Sequence, residues 1–243
     1  MNIYVVNIVT AFACFLVGYF FGAIPNGVLI GKIFFHKDPR DYGSGNSGGT
    51  NTGRVFGKKV GFICIALDMI KAIIPVYAAW AILTFTSLHG YYNQWGQDLT
   101  PLYYWLSGLG AAIGHCWPIY VHFKGGKAVA CYMGLCTLTS WLGFLFGFFY
   151  LGTLAMKKMV SLASIIGGFF ELALAWTLYF VNLATGFDIT FFMLTFALKG
   201  QSLTWGLWYA IVMTIIYVIL VVRHHANIQR LKAGKESKIT WIK

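Results

Sequence analysis

Long apolar stretches limit what this chain can fold into more than any other feature. They fall at about 3–24, 60–86, 101–121, 128–156, 160–182 and 204–222. About 20 apolar residues in a helix cross the hydrocarbon core of a bilayer, and a helix satisfies its own backbone hydrogen bonds there. The composition agrees, because 58% of the residues are hydrophobic and only 10% are charged. We therefore expect an all-α integral membrane protein that forms a single transmembrane domain over residues 1–243.

Positively charged residues predict how these stretches are threaded. The 128–156 stretch is ambiguous, because it could be one long tilted helix or two short helices folded back at Thr139-Ser140-Trp141. A hairpin would place sixteen of the eighteen lysines and arginines on one face. A single helix would put Lys157 and Lys158 on the opposite face from Lys127, against the preference of basic residues for cytoplasmic loops. We therefore predict seven transmembrane helices, with the N-terminus outside and the C-terminus in the cytoplasm.

The net charge of +11 does not indicate nucleic acid binding, because the basic residues lie between apolar segments. They act as topology signals and as candidate anion sites. The five cysteines lie in or beside apolar stretches and lack Cys-x-x-Cys spacing. Such cysteines are typical of small buried residues, not of a disulfide or metal framework. We predict a lipid bilayer as the partner, no nucleic acid and no metal site.

One polar loop, Gly43–Arg54, stands out in this apolar chain because nearly all its residues are Gly, Ser, Thr or Asn. Glycines leave backbone N–H groups open to an anion, and hydroxyl and amide side chains such as those of Ser44 and Asn46 add neutral donors. Arg54 can hold a phosphate through two parallel hydrogen bonds. A solvated loop of this composition can also be simply a loop. The loop predicts a phosphate site at the bilayer surface.

A second polar cluster combines Gly114-His115 with Lys124-Gly125-Gly126-Lys127. The paired glycines open the backbone between two ammonium groups, which suits a phosphate. A basic turn next to a membrane span is the alternative interpretation of the same residues.

Two further clusters fall on the same predicted face. Ser161 opens a helix, where a hydroxyl caps the N-terminus and anions are attracted, although an ordinary N-cap is the alternative. His224 and Asn227 are three residues apart and share a helix face, although the basic segment around them could also anchor the last helix to lipid headgroups. Because all four clusters converge on one face, they predict one shared site.

Two acidic residues raise separate hypotheses. Asp68 and Lys71 are three residues apart inside a span, so they can pair, either as a structural ion pair or with a direct role. His36 and Asp41 have the His-x-x-x-x-Asp spacing of a catalytic pair in thioester-using glycerolipid acyltransferases, where the histidine is a general base. Pro39 between them makes a rigid pairing doubtful, so we do not assign them the reaction.

Taken in order, these motifs resemble the bacterial acyl-phosphate:glycerol-3-phosphate acyltransferase family, and the match covers nearly the whole chain. The matching motifs are Gly22-Ala23-Ile24-Pro25-Asn26-Gly27, Gly43-Ser44-Gly45-Asn46-x-Gly48-x-Thr50-Asn51-x-x-Arg54, Leu67-Asp68-x-x-Lys71, Gly114-His115 through Lys124-Gly125-Gly126-Lys127, Ser161-Leu162-Ala163-Ser164, and His224-x-x-Asn227-Ile228-x-Arg230-Leu231.

The resemblance implies a seven-helix enzyme of the cell membrane with its active site at the cytoplasmic side. Such an enzyme transfers a fatty acyl group from acyl phosphate to the sn-1 hydroxyl of glycerol 3-phosphate, giving lysophosphatidic acid and phosphate. It implies no cofactor and a functional link to an enzyme that produces acyl phosphate. By resemblance, the phosphate contacts are Ser44, Arg54, Lys127, Ser161, His224 and Asn227, with Asn46, His115 and Lys124 as neighbours.

The expected chemistry consists of positioning the substrates and stabilising the charge of the leaving phosphate. Ser44 and Ser161 are interpreted as phosphate donors, because no Ser–His–acid arrangement is visible. The catalytic candidates are Ser44, Asn46, His115 and His224. His115, His224 or a substrate phosphate oxygen could be the general base. A transporter of organic phosphates is the alternative class, but it would place its polar site near the midplane and often shows repeats.

Overall fold

The computed structural model describes residues 3–86, 99–188, 190–194 and 203–239, and the backbone within these ranges is mostly helical. Apart from one isolated bridge between Ser140 and Met193, the described residues contain no β-structure. The helices are α1 (Ile3–Gly22), α2 (Asn26–Phe35), α3 (Gly49–Phe56), α4 (Lys58–Phe85), α5 (Thr100–Cys116), α6 (Val129–Thr137), α7 (Phe144–Lys157), α8 (Val160–Thr185), α9 (Leu207–Arg223) and α10 (His225–Lys232).

Within the described ranges, three helical stretches are long and apolar enough to cross a membrane, namely Tyr4–Phe35, α4 and α8. The pair α9 and α10 forms a fourth candidate that is bent by 58°. Side chains on the outer face of α1, among them Ile8 and Phe12, are well exposed, as lipid-facing residues are. The expected all-α membrane protein is confirmed, whereas length and composition alone identify fewer spans than the seven predicted.

The 128–156 stretch is a helical hairpin, as the charge pattern predicts. α6 and α7 are separated by residues 138–143. Both outer ends of the hairpin lie beside the C-terminal residues, because Lys127 Nζ donates to Asn227 Oδ1 at 2.5 Å and the Ile239 N–H donates to the Lys158 carbonyl at 2.8 Å. At the turn, Ser140 Oγ donates to the Phe192 carbonyl at 2.9 Å. The described part of the long 183–203 loop therefore packs on this turn.

The closest helix packing joins α1 to α5. Two Gly-x-x-x-Gly pairs, one on each helix, let the backbones touch, because a Cβ atom at any of the four glycines would overlap a carbonyl oxygen of the facing helix. Small residues at this spacing are the usual means of close helix approach in membranes. The facing pairs are Gly18 with Ser107, Gly22 with Ala111, Gly110 with Phe15 and Gly114 with Tyr19.

The buried core lies between α4, α5, α6, α8 and α9, and aromatic rings fill much of it. Trp205 stacks on Tyr209 with ring centroids 4.3 Å apart. Tyr209 also donates from its hydroxyl to Glu171 Oε1 at 2.9 Å, which gives this fully buried carboxyl a partner that the sequence does not reveal. The ends of the surrounding helices meet at one end of the bundle, where a cavity opens.

Candidate functional site

A cavity of about 640 Å³ lies where the polar loop Gly43–Arg54, called the first loop below, meets the starts of α6 and α8, the end of α9 and the helix α10. Eight of the nine residues predicted for the site line it, from five separate segments of the chain. They are Ser44, Asn46, Arg54, His115, Lys127, Ser161, His224 and Asn227. The ninth, Lys124, is exposed and is not among the lining residues, so the geometry does not support its predicted phosphate contact.

Asn51 holds the first loop in shape. Its side-chain oxygen accepts hydrogen bonds from the Ser44 N–H at 2.8 Å and from Ser44 Oγ at 3.1 Å. Its amide nitrogen donates to three backbone carbonyls, including those of Pro39 at 2.8 Å and Asn46 at 2.9 Å. Gly43 has a φ of +62° and directly contacts the Asn51 amide oxygen, which leaves no room for a Cβ atom. A buried amide with this many partners stabilises a single loop conformation.

Arg54 lies in the last turn of α3 and extends across the mouth of the cavity. Its Nη2 donates to Ser237 Oγ at 3.1 Å, so residues more than 180 positions apart meet here. The side chain is exposed, and its guanidinium group can approach an anion from solvent. A planar guanidinium with free donors is well suited to a phosphate group.

Among the described lysines, Lys127 is the one that lines the cavity. Its Nζ donates to Asn227 Oδ1 at 2.5 Å. Burial, assisted by the positive charge of Arg230, lowers the pKa of Lys127 to about 8, although Glu236 opposes the shift. A bound anion would shift this pKa upward again, because a nearby opposite charge favours the charged form.

Glu236 is a site residue that the motifs do not identify. The residue is 8% exposed, and its carboxylate accepts hydrogen bonds from Ser161 Oγ at 2.8 Å, Asn227 Nδ2 at 2.7 Å and Arg230 Nε at 2.8 Å. Burial raises its pKa, but these three hydrogen bonds and the Arg230 charge outweigh burial and lower it overall. Glu236 thus orients two of the predicted phosphate donors, Ser161 and Asn227.

The two candidate histidines have different surroundings. His224 Nδ1 is 2.8 Å from the Leu220 carbonyl, which assigns the proton to Nδ1 and leaves Nε2 as the acceptor. Burial lowers the pKa of His224 to about 4, so its imidazole is neutral near pH 7. His115 Nδ1 faces Asp68 Oδ1 at 3.7 Å, while its other edge packs against Gly126. Of the two, His224 has the unprotonated ring nitrogen near pH 7, while its low pKa makes it a weak base.

The predicted ion pair of Asp68 and Lys71 is present, with Lys71 Nζ 2.8 Å from Asp68 Oδ1, and Asp68 also lines the cavity. His36 and Asp41 are both exposed and line none of the described cavity. His36 ends α2 in a left-handed conformation with a φ of 52°. Their location gives no support to a catalytic pair.

The lining of the cavity combines two chemically different sets of side chains. The basic set consists of Arg54, Lys127, Arg223 and Arg230. The apolar set comes from α4, α6, α7 and α8, and it consists of Ile65, Val129, Ala130, Met133, Tyr150 and Val160. A ligand that carries an anionic head and an apolar tail matches this arrangement.

Sequence comparison places the chain among known proteins. The profile of the family described as glycerol-3-phosphate acyltransferase matches residues 12–234. A glycerol-3-phosphate acyltransferase of Staphylococcus haemolyticus is 36% identical over 236 residues, which cover 93% of this chain and 96% of that protein. Another, of Enterococcus faecalis, is 34% identical over 227 residues, which cover 93% of this chain and 90% of that protein.

The fold is similar to a crystal structure of PlsY (YgiH), an integral membrane glycerol 3-phosphate acyltransferase, in its glycerol 3-phosphate form. The TM-score is 0.70 at 26% identity, over 95% of this chain and 96% of that chain. The lysophosphatidic acid form of PlsY gives a TM-score of 0.68 at 25% identity, over 95% of both chains. By sequence over nearly its whole length and by fold, this chain belongs to the glycerol-3-phosphate acyltransferase family and is an integral membrane acyltransferase.

Proposed function

We propose that this chain transfers a fatty acyl group from acyl phosphate to the sn-1 hydroxyl of glycerol 3-phosphate, giving lysophosphatidic acid and inorganic phosphate. The observation that carries the proposal is the cavity itself, whose lining combines four basic side chains with a set of apolar side chains. Relatives named for glycerol 3-phosphate support the acceptor. An acyl phosphate fits as the donor because it combines a phosphate head with an apolar chain.

Acyl phosphate is a mixed anhydride, so its phosphate leaves readily once the developing charge is neutralised. Lys127 and Arg54 supply positive charge in the cavity, and Ser44 and Ser161 supply hydroxyl donors. Groups fixed in advance around a developing charge are worth several kcal/mol of barrier reduction. The reaction then requires the glycerol hydroxyl to be held against the acyl carbon, which is a matter of positioning.

The proton of the attacking hydroxyl needs an acceptor. We assign His224 this role in preference to His115, because Nε2 of His224 carries the free lone pair of a neutral ring that lines the cavity. A phosphate oxygen of the substrate is the alternative acceptor. Asn46 orients the loop, since its Oδ1 accepts from the Gly48 N–H at 2.8 Å.

For the membrane topology we propose the seven spans that the charge pattern predicts, with the N-terminus outside and the cavity open to the cytoplasm of a bacterial cell. The shorter helices α5, α6 and α7 provide the spans that length alone does not identify. The basic residues around the cavity support this orientation, because cytoplasmic loops carry an excess of lysine and arginine. Acyl phosphate would then arrive from an enzyme that produces it in the cytoplasm.

The test supplies the purified protein with glycerol 3-phosphate and palmitoyl phosphate, and measures lysophosphatidic acid and released phosphate in equal amounts. Palmitoyl-CoA and palmitoyl acyl carrier protein serve as matched donors that carry the same chain as a thioester. Turnover with a thioester donor and none with palmitoyl phosphate would refute the proposed donor and return attention to His36 and Asp41. Uptake of glycerol 3-phosphate into proteoliposomes without acylation would favour a transporter.

A further inference from the structure

Asp68, on α4, is the centre of a buried polar cluster beside the cavity. Its Oδ1 accepts a hydrogen bond from Asn26 Nδ2 at 2.9 Å and forms the ion pair with Lys71 Nζ at 2.8 Å. Lys71 Nζ also donates to the Ile24 carbonyl at 2.6 Å, at the break between α1 and α2. Asp68 is only 2% exposed, and a charge buried to this extent is costly unless it is paired and hydrogen-bonded.

His115, on α5, connects this cluster to the turn at Gly125-Gly126, which precedes Lys127. Its Nδ1 faces Asp68 Oδ1 at 3.7 Å, and the side chain is almost completely buried. The opposite edge of the ring packs against Gly126, where a Cβ atom would overlap Nε2. The imidazole is thus held between a carboxylate and a glycine, and these two neighbours fix its position.

The Gly125-Gly126 turn is fixed from two sides. The Gly126 N–H donates to the His115 carbonyl at 2.9 Å. From the other side, Arg223 donates through Nη2 to the Gly125 carbonyl and through Nε to the Gly126 carbonyl, both at 3.1 Å. Lys127 follows directly in the chain, so the position of this turn determines where its ammonium group lies.

We propose that Asp68 is a positioning residue that acts through His115 and the Gly125-Gly126 turn to place the Lys127 ammonium group in the cavity. The proposal rests on the acyl transfer proposed above and adds a role for a residue that does not touch the reacting atoms. A purely structural role at the break between α1 and α2 would weaken every contact in the cavity alike. If Asp68 acts by positioning, the effect of substituting it should depend on whether Lys127 is present. It should not depend on Arg54, which lies on α3 and donates to Ser237.

A double-mutant cycle separates these two roles, because residues that act through one another show non-additive effects. Asp68→Asn keeps the side-chain shape and removes its charge. We expect it to lower kcat/KM at least about fivefold in the wild-type and Arg54→Ala backgrounds, but less than about twofold in the Lys127→Ala background. An equal loss in all three backgrounds would overturn the positioning role.

Two additions keep the cycle decisive. Asp68→Asn leaves the buried Lys71 charge without a counter-charge. If this variant unfolds in detergent, the combined variant Asp68→Asn/Lys71→Gln takes its place, because it removes both charges of the buried pair. The combined variant should give the same pattern of losses. The affinity for inorganic phosphate, measured in the same backgrounds, reports on Lys127 without turnover. An inactive wild-type protein would refute the acyl transfer, whereas additive losses of phosphate affinity would refute only the positioning role.

Discussion

At the scale of single residues, Lys127 shows how surroundings set the chemistry of the cavity. The same ammonium group would be fully charged at neutral pH on the surface, but burial and neighbouring positive charge lower its pKa to about 8. Its charge is therefore present below about pH 8 and is lost as the pH rises through that value. The charge of a substrate phosphate does not change near pH 8, because its second ionisation is already complete above about pH 6.

We therefore predict that kcat/KM falls as the pH rises through about 8, where Lys127 loses its proton. Lys127→Arg should move this fall to higher pH, because a guanidinium stays charged. Lys127→Ala should have low activity and no fall near pH 8. The measurement is the pH profile of kcat/KM for palmitoyl phosphate, and an unchanged alkaline fall in Lys127→Ala would contradict the assignment.

Arg54 and Lys127 are predicted to carry the phosphate contacts in different ways, one from an exposed position and the other from a half-buried one. Each change to alanine should lower kcat/KM at least about tenfold, or about 1.4 kcal/mol of transition-state stabilisation. Lys124→Ala is the matched control, because Lys124 is basic and exposed but does not line the cavity. We expect less than a twofold effect from it, and an equal loss in all three variants would contradict the proposed site.

At the scale of helices, the contact between α1 and α5 depends on the absence of side chains. Gly18 and Gly22 on α1, with Gly110 and Gly114 on α5, each contact a backbone oxygen of the partner helix. α5 carries His115, which lines the cavity, and α1 leads into the break where the Ile24 carbonyl accepts from Lys71, so this contact aligns His115 with the buried cluster around Asp68.

Gly110→Ala is predicted to destabilise the protein by about 1–3 kcal/mol, because overpacking forces two helices apart. Gly147→Ala is the matched control, since α7 leaves open space around Gly147 and the same methyl group contacts nothing within 4 Å. Thermal unfolding of both variants in detergent measures the difference. Similar unfolding temperatures would show that the backbone contact contributes little to stability.

Several elements could be predicted from the sequence, and others could not. The hairpin of α6 and α7 follows from the charge pattern, which requires both of its ends on one face. The helices α2 and α3 lie between the first two apolar stretches, where Pro and Gly residues predict irregular backbone. They form because tertiary contacts override local preference, as in the stacking of Phe35 on Phe56 with ring centroids 4.4 Å apart.

At the scale of the whole molecule, the site combines segments from residue 43 to residue 237. Motifs could identify most of its members because their residue types suit phosphate. They could not identify Glu236, since a carboxylate in a basic tail is usually a solvated counter-charge. Nor could they show that His115 faces Asp68 while His224 bonds the Leu220 carbonyl, because both contacts depend on how the helices pack.

The proposed topology predicts which positions can be labelled from each side of the membrane. Single cysteines in place of Lys59 and Lys235, in a chain whose native cysteines are replaced, should react with an impermeant maleimide only after the cytoplasmic side is opened. A cysteine in place of Asp188, in the exposed loop after α8, should react in intact cells. Labelling of all three positions from one side would contradict the seven-span arrangement.

The contacts of Glu236 also set the order in which this protein becomes active during synthesis. Ser161 and Asn227 are fixed only when a residue close to position 236 folds back onto them. A nascent chain can thus insert α1 to α9 into the bilayer and still lack an organised phosphate pocket. Chains that stop before residue 236 would remain in the membrane as inserted fragments in which Ser161 and Asn227 lack the carboxylate that orients them.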